Sequence, residues 1–115
     1  MKILAFVLLV FSVSAYATDE RHYQKVWCDG QKGEMEFVLP DKTRVDCLTP
    51  SLAVEVDFAK KWAEAVGQAL HYASWTGRRA GIVLIIGPGD DHLVRRLYRL
   101  VSHYNLPIDI LTVRR

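Results

Sequence analysis

The sequence lacks most of the patterns that mark redox, zinc or nucleotide-hydrolysing enzymes. Its only cysteines, Cys28 and Cys47, are spaced too far apart for a CxxC redox pair, and with four scattered histidines they make little case for zinc. The glycine-rich stretch Gly87–Asp91 has no Lys-Ser/Thr after it and so is not a phosphate-binding P-loop. No Ser-His-Asp or Cys-His arrangement has a recognisable spacing, and no repeat or low-complexity tract is present.

The sequence also has little excess of one charge over the other and few long apolar runs. The formal net charge is only +2, which argues against a general polyanion binder but permits a local basic face. The one long, almost wholly apolar run is Ile3–Val13, which is too short for a comfortable membrane span. We therefore expect no membrane partner for the mature protein.

The N-terminus has the pattern of a secretory signal peptide. A positive start at Lys2, the apolar run and an Ala-x-Ala sequence at residues 15–17 predict cleavage after Ala17. We expect residues 1–17 to be the signal peptide and residues 18–115 to be one exported domain, periplasmic or secreted. In such a compartment Cys28 and Cys47 are expected to form a disulfide worth roughly 3 kcal/mol, although two unpaired thiols are the alternative.

Hydrophobic periodicity predicts an α/β fold. After a weakly helical start, apolar residues recur every second position, as in strands, up to about Ala59. From there they recur with the helical period of 3.6, and a continuous apolar strand, a second helical stretch and a last strand follow. The expected order is a three-stranded antiparallel meander followed by helix, strand, helix and strand, with the last two strands parallel. The predicted segments are strands Met35–Leu39, Arg44–Leu48 and Leu52–Phe58, helix Ala59–Trp75, strand Gly81–Ile86, a helix ending near Asn105, and strand Ile108–Val113, with a loop over Cys28–Gly33.

Three carboxylates lie on the second and third predicted strands. Glu55 and Asp57 share one side of the third strand because side chains alternate, and a tight turn at residues 49–51 would place Asp46 opposite or nearly opposite Glu55. Neighbouring carboxylates repel one another and need water, a basic partner or a metal ion. Asp46 and Glu55 would suit a hard cation such as Mg²⁺ or Mn²⁺, whereas a solvated edge paired with Arg44 and Lys42 is the alternative.

The following helix carries a polar stripe of Lys61, Glu64, Gln68 and Tyr72, with Lys60 on another side. A lysine here could stabilise negative charge on a phosphate. The same stripe also fits the ordinary solvent face of an amphipathic helix.

These residues resemble the core of the PD-(D/E)xK nuclease superfamily. The similarity rests on Asp46, a short gap, the sequence Glu55-Val56-Asp57, and a helix with Gln68 and Tyr72, and it covers roughly residues 34–86. It implies a restriction endonuclease-like αβββαβ core and Mg²⁺- or Mn²⁺-dependent phosphodiester hydrolysis on nucleic acid.

The resemblance also implies roles for individual residues. Asp46 and Glu55 would be the metal ligands, with the Val56 carbonyl assisting, and Glu34 or Glu36 would supply a further acid. Asp57 stands where the pattern expects lysine; some members place an acid there, and others move the lysine to the next helix, where Lys60 and Lys61 are available. The candidate catalytic residues are Asp46, Glu55, Asp57, Lys60, Lys61 and Gln68.

Three further interpretations remain open. A catalytically inactive exported module on the same fold would bind a protein or another ligand, and a small disulfide-stapled inhibitor or stress protein would need no metal. His92, Arg95, Arg96, Arg99 and His103 form a basic face on the second predicted amphipathic helix, which either contacts phosphates or is simply solvated.

Overall fold

The structure is a computed structural model that describes residues 12–115, with side chains from Glu20 onward. The predicted signal peptide, residues 1–17, lies outside the residues whose side chains are described. The elements are α1 (Ser12–Gly30), β1 (Glu34–Val38), β2 (Arg44–Leu48), β3 (Leu52–Phe58), a 3-10 turn (Ala59–Lys61), α2 (Trp62–Thr76), β4 (Arg79–Ile86), α3 (Asp91–Tyr104) and β5 (Ile108–Arg114).

The five strands form one mixed sheet in the order β1-β2-β3-β4-β5. β1 pairs with β2 and β2 with β3 in antiparallel fashion, whereas β3 with β4 and β4 with β5 are parallel. The predicted meander and the parallel arrangement of the last two strands are therefore confirmed. The protein is a mixed α/β fold with a five-stranded sheet and three described helices.

Helices cover both faces of the sheet. The β4 residues Ile82 and Leu84 pack with α2 and α3, whereas Val83 and Ile85 pack on the opposite face with α1. Because alternate residues of β4 are buried on both sides, the strand is continuously apolar. This three-layer arrangement leaves β2 and β3 between α1 and α2.

The predicted disulfide between Cys28 and Cys47 is present and joins α1 to β2, with both residues fully buried. The predicted loop over Cys28–Gly33 was wrong at its start, because α1 continues to Gly30. An ion pair one helical turn apart, Lys25 with Asp29 at 2.6 Å, supports this last turn.

The predicted helix Ala59–Trp75 consists of the 3-10 turn followed by α2. α2 ends at Gly77, whose φ of 68° is the left-handed conformation favoured at helix C-termini. No helix within residues 12–115 is long and apolar enough to cross a membrane.

Candidate functional site

The side chains of Asp46 and Glu55 meet between β2 and β3. In the antiparallel ladder Cys47 pairs with Val54 and Leu48 pairs with Ala53, which places Asp46 across from Glu55. The two carboxyl groups are close enough that each contributes to the pKa shift of the other. The structure thus brings together the two acids that the sequence placed opposite one another.

Asp46 is held in position by its backbone and by its side chain. Its Oδ2 atom accepts a hydrogen bond from the Val56 backbone amide at 2.8 Å, and its backbone oxygen accepts one from Gln24 Nε2 at 2.9 Å. Burial raises the pKa of Asp46, although the hydrogen bonds from Glu55 and Val56 oppose that rise. The carboxyl group is therefore oriented by β3, while α1 holds the Asp46 backbone.

Glu55 is the most strongly perturbed acid of the site. Its side chain is only 4% exposed, and burial, followed by the charge of Asp46 and the hydrogen bond with it, raises the pKa of Glu55 to about 10. This burial is inconsistent with the alternative of a solvated hairpin edge. Arg44, the cation proposed for that edge, lies instead 3.8 Å from Glu36.

Asp57, at the position where the nuclease pattern expects lysine, belongs to the same cluster. It is 5% exposed and accepts a hydrogen bond from the Phe58 backbone amide at 2.9 Å, and Glu55 is among the groups that shift its pKa. Burial raises the pKa of Asp57, while the Phe58 amide and the Lys61 charge lower it. The structure therefore adds a third strand acid at the place of the expected cation.

Helix α1 contributes two polar residues that the sequence reasoning missed. Burial and the charges of Asp57 and Asp46 raise the pKa of Glu20, which places this carboxyl group beside the strand acids. Gln24, one turn later, is 6% exposed and uses Nε2 for both of its contacts to the site. The only feature of the sequence that could have indicated these two residues is their spacing of four, and any polar helix face shows that spacing.

Of the two glutamates considered on β1, the structure places Glu36 at the site. Its Oε2 atom accepts a hydrogen bond from Gln24 Nε2 at 2.7 Å, whereas Glu34 is exposed at the far end of the pairing, opposite Leu48. Glu36 has a φ of 57°, which is unusual for a non-glycine residue within a strand. Such strain costs of order 1–3 kcal/mol and is concentrated at functional sites.

Lys61 is the basic residue whose charge acts on the cluster, since it lowers the pKa of both Glu20 and Asp57. Lys60 is its exposed neighbour in the 3-10 turn. Gln68 lies on α2 and is exposed, and its Oε1 atom accepts a hydrogen bond from the Tyr72 hydroxyl at 3.1 Å. Tyr72 is buried, and burial followed by the charge of Glu55 raises its pKa, so Gln68 is linked to the acids through Tyr72.

The donor chemistry of the cluster fits a hard cation. Among the described residues no group of three or more His, Cys, Asp or Glu is arranged so that it could hold a metal ion. Mg²⁺, however, is commonly held by only one or two carboxylates, with water and substrate oxygens completing its shell. Because the charge of Asp46 raises the pKa of Glu55, the pair favours a bound proton, and a divalent cation could supply that positive charge instead.

Comparisons with protein-family models, with curated proteins and with solved structures found no match to this chain. The resemblance to the PD-(D/E)xK superfamily therefore stays a prediction from the residues.

Proposed function

We propose that the protein is a metal-dependent phosphodiesterase that acts on nucleic acid and has a restriction endonuclease-like core. The observation that carries this proposal is the convergence of Asp46 with the buried Glu55 between β2 and β3, where the two carboxyl groups shift each other's pKa. Burying two carboxyl groups side by side is costly for stability, and such costs are typical of sites that bind cations or perform chemistry.

The order of elements supports the proposal. A helix, three antiparallel strands, a helix and a strand parallel to the third strand occur in the sequence expected of an αβββαβ core. The two proposed ligands lie on the second and third strands, where the superfamily pattern expects them. β5 and α3 extend this arrangement.

We assign the metal-holding role to Asp46 and Glu55. When bound, Mg²⁺ or Mn²⁺ would polarise a phosphoryl oxygen of the substrate and favour deprotonation of water. The Val56 amide and Gln24 orient Asp46, so that this ligand is preorganised. In the hydrolysis itself a water oxygen bonds to phosphorus, the bond from phosphorus to the leaving oxygen breaks, and that oxygen takes up a proton.

Lys61 is the proposed cationic group. It is exposed, yet close enough to Asp57 and Glu20 for its charge to act on them. An ammonium group at this edge of the cluster can neutralise charge that develops on a phosphate. It would thus replace the strand lysine whose position Asp57 occupies.

A non-catalytic binding module is the second candidate, and Asp57 is the observation that favours it. A third buried strand acid in place of a cation adds negative charge to the region that a phosphate would approach. Export of the protein remains part of both proposals, and the Cys28–Cys47 disulfide supports it because such bonds persist outside the reducing cytosol.

Cleavage assays on the purified, oxidised protein test the proposal. We expect Mg²⁺- or Mn²⁺-dependent cleavage of DNA or RNA that a chelator abolishes and that Asp46→Asn or Glu55→Gln reduces by at least about a hundredfold. Asp109→Asn is a matched control, because Asp109 pairs with Arg79 on the β4–β5 side of the sheet. Equal activity in the site variants, or no cleavage of any nucleic acid, would contradict the proposal.

A further inference from the structure

Helix α3 presents five basic side chains on one face. With 100° of rotation per residue, they fall within an arc of about 100° over roughly 16 Å of helix. All are exposed: His92, Arg95, Arg96, Arg99 and His103. The opposite face, which includes Leu93 and Leu97, packs into the core.

The three arginines of this face make no ion pair within the described residues, in contrast to four cations elsewhere. Elsewhere Lys25, Arg44, Arg79 and Arg114 each pair with a carboxylate. Among the ion pairs of the described residues none involves Arg95, Arg96 or Arg99. Three guanidinium groups that are always charged therefore repel one another on one helix without local compensation.

Helix α3 lies beside an element that reaches the carboxylate cluster. α3 packs against the 3-10 turn and against α2, and Lys61 of that turn acts on Asp57 and Glu20. The acids and the unpaired arginines are thus segregated onto different parts of the protein, although its net charge is only +2. A polyanion bound along α3 would be attracted by the arginines. Where it reached the carboxylate cluster, the acids would repel it unless a cation were bound to them.

We infer that the basic face of α3 is a docking surface for the phosphate backbone of nucleic acid. The inference depends on the proposed function for the choice of nucleic acid among polyanions. A row of about 16 Å is long enough to follow four or five phosphates along one strand of a duplex, at about 3.4 Å of rise each. Arginine on a helix face is well suited to such contacts, which position a substrate without reading its sequence.

Binding is measured separately from cleavage, by fluorescence anisotropy of a labelled DNA duplex with the full oxidised protein in EDTA. We expect the triple variant Arg95→Gln/Arg96→Gln/Arg99→Gln to bind at least about tenfold more weakly at low salt. We also expect the slope of log affinity against log salt to decrease by roughly two to three. The charge-preserving variant Arg95→Lys/Arg96→Lys/Arg99→Lys should retain most of the affinity.

A matched control removes three exposed cations elsewhere that make no ion pair within the described residues, by Arg21→Gln/Lys32→Gln/Lys42→Gln, and should change affinity much less. Equal losses in this control and in the arginine variant would overturn the inference, because net charge alone would then explain binding. So would a wild-type protein that binds vesicles containing phosphatidylglycerol but not DNA. DNA binding without any cleavage would support the docking surface and refute the proposed phosphodiesterase. Cleavage by the wild-type protein, together with unchanged binding by the arginine variant, would support the phosphodiesterase and refute the docking surface.

Discussion

The backbone amide of Val56 donates a hydrogen bond to Oδ2 of Asp46 at 2.8 Å, next to the backbone pair of Cys47 and Val54. A side-chain carboxylate thereby joins β2 to β3 where a strand backbone would ordinarily supply the acceptor. This contact directs Asp46 toward Glu55 and makes the two acids one electrostatic unit. Removing the charge of one should therefore change the pKa of the other.

Asp46→Asn should lower the pKa of Glu55 from about 10, because the charge of Asp46 is the second largest cause of its elevation. The pKa should stay above the ordinary value of 4.5, since burial is the largest cause and remains. Carbon-detected NMR titration of the glutamate carboxyl groups measures this shift. Asp41→Asn, at an exposed acid that pairs with His71, should leave it unchanged, and an unchanged Glu55 in Asp46→Asn would show that the two acids are not coupled.

Without bound metal, stability should decrease as pH rises. The pKa of Glu55 is higher in the folded protein than its ordinary value, so the folded state binds more protons than the unfolded state between about pH 4.5 and 10. The free energy of unfolding should therefore fall by about 1.4 kcal/mol per pH unit for each proton retained. Urea unfolding in EDTA from pH 5 to pH 8 measures the slope, and Glu55→Gln should flatten it; a stability that rises over this range would contradict the prediction.

Divalent cations should reverse this loss. At a concentration one hundred times its Kd, Mn²⁺ should add about 2.7 kcal/mol to the free energy of unfolding. The gain should be larger at pH 8 than at pH 5, because the carboxyl groups must release protons before they bind the ion. Thermal unfolding with and without Mn²⁺ measures it, and the double variant Asp46→Asn/Glu55→Gln serves as the control that should show no gain.

Two substitutions at Glu36 should distinguish the effect of its strained backbone from the effect of its side chain. Glu36→Gly and Glu36→Ala both remove the hydrogen bond to Gln24, but only glycine adopts a φ of 57° without strain. We expect the glycine variant to be more stable than the alanine variant by about 1 kcal/mol in chemical unfolding. An alanine variant as stable as the glycine variant would mean that the strand relaxes to ordinary geometry once the carboxylate is gone.

Gly33 should be intolerant of a side chain because of the disulfide beside it. A Cβ atom added at Gly33 would approach the sulfur atoms of both Cys28 and Cys47 more closely than van der Waals contact allows. Gly33→Ala should destabilise the oxidised protein by about 1–3 kcal/mol, and Gly30→Ala, where a Cβ atom meets nothing within 4 Å, should not. Equal unfolding midpoints for the two variants would disprove this prediction.

Local sequence patterns were sufficient for much of the fold. Alternating apolar residues predicted β2 and β3 with the bounds that the structure has, and the change to helical period marked the start of α2 within three residues. The helix-ending role of Gly77 follows from the left-handed conformation that glycine allows. These features depend on residues that are close together in the chain.

The pairing of Asp46 with Glu55 was within reach of the sequence for the same reason, since a short turn at residues 49–51 determines the register of the two strands. Only the tertiary structure decided which other residues surround that pair. Glu20 and Gln24 precede Asp46 by more than twenty residues in the chain, and packing of α1 on the sheet brings them to the acids. Packing of the helices on the sheet also buries Glu55, and burial is a property of the assembled layers that no local period encodes.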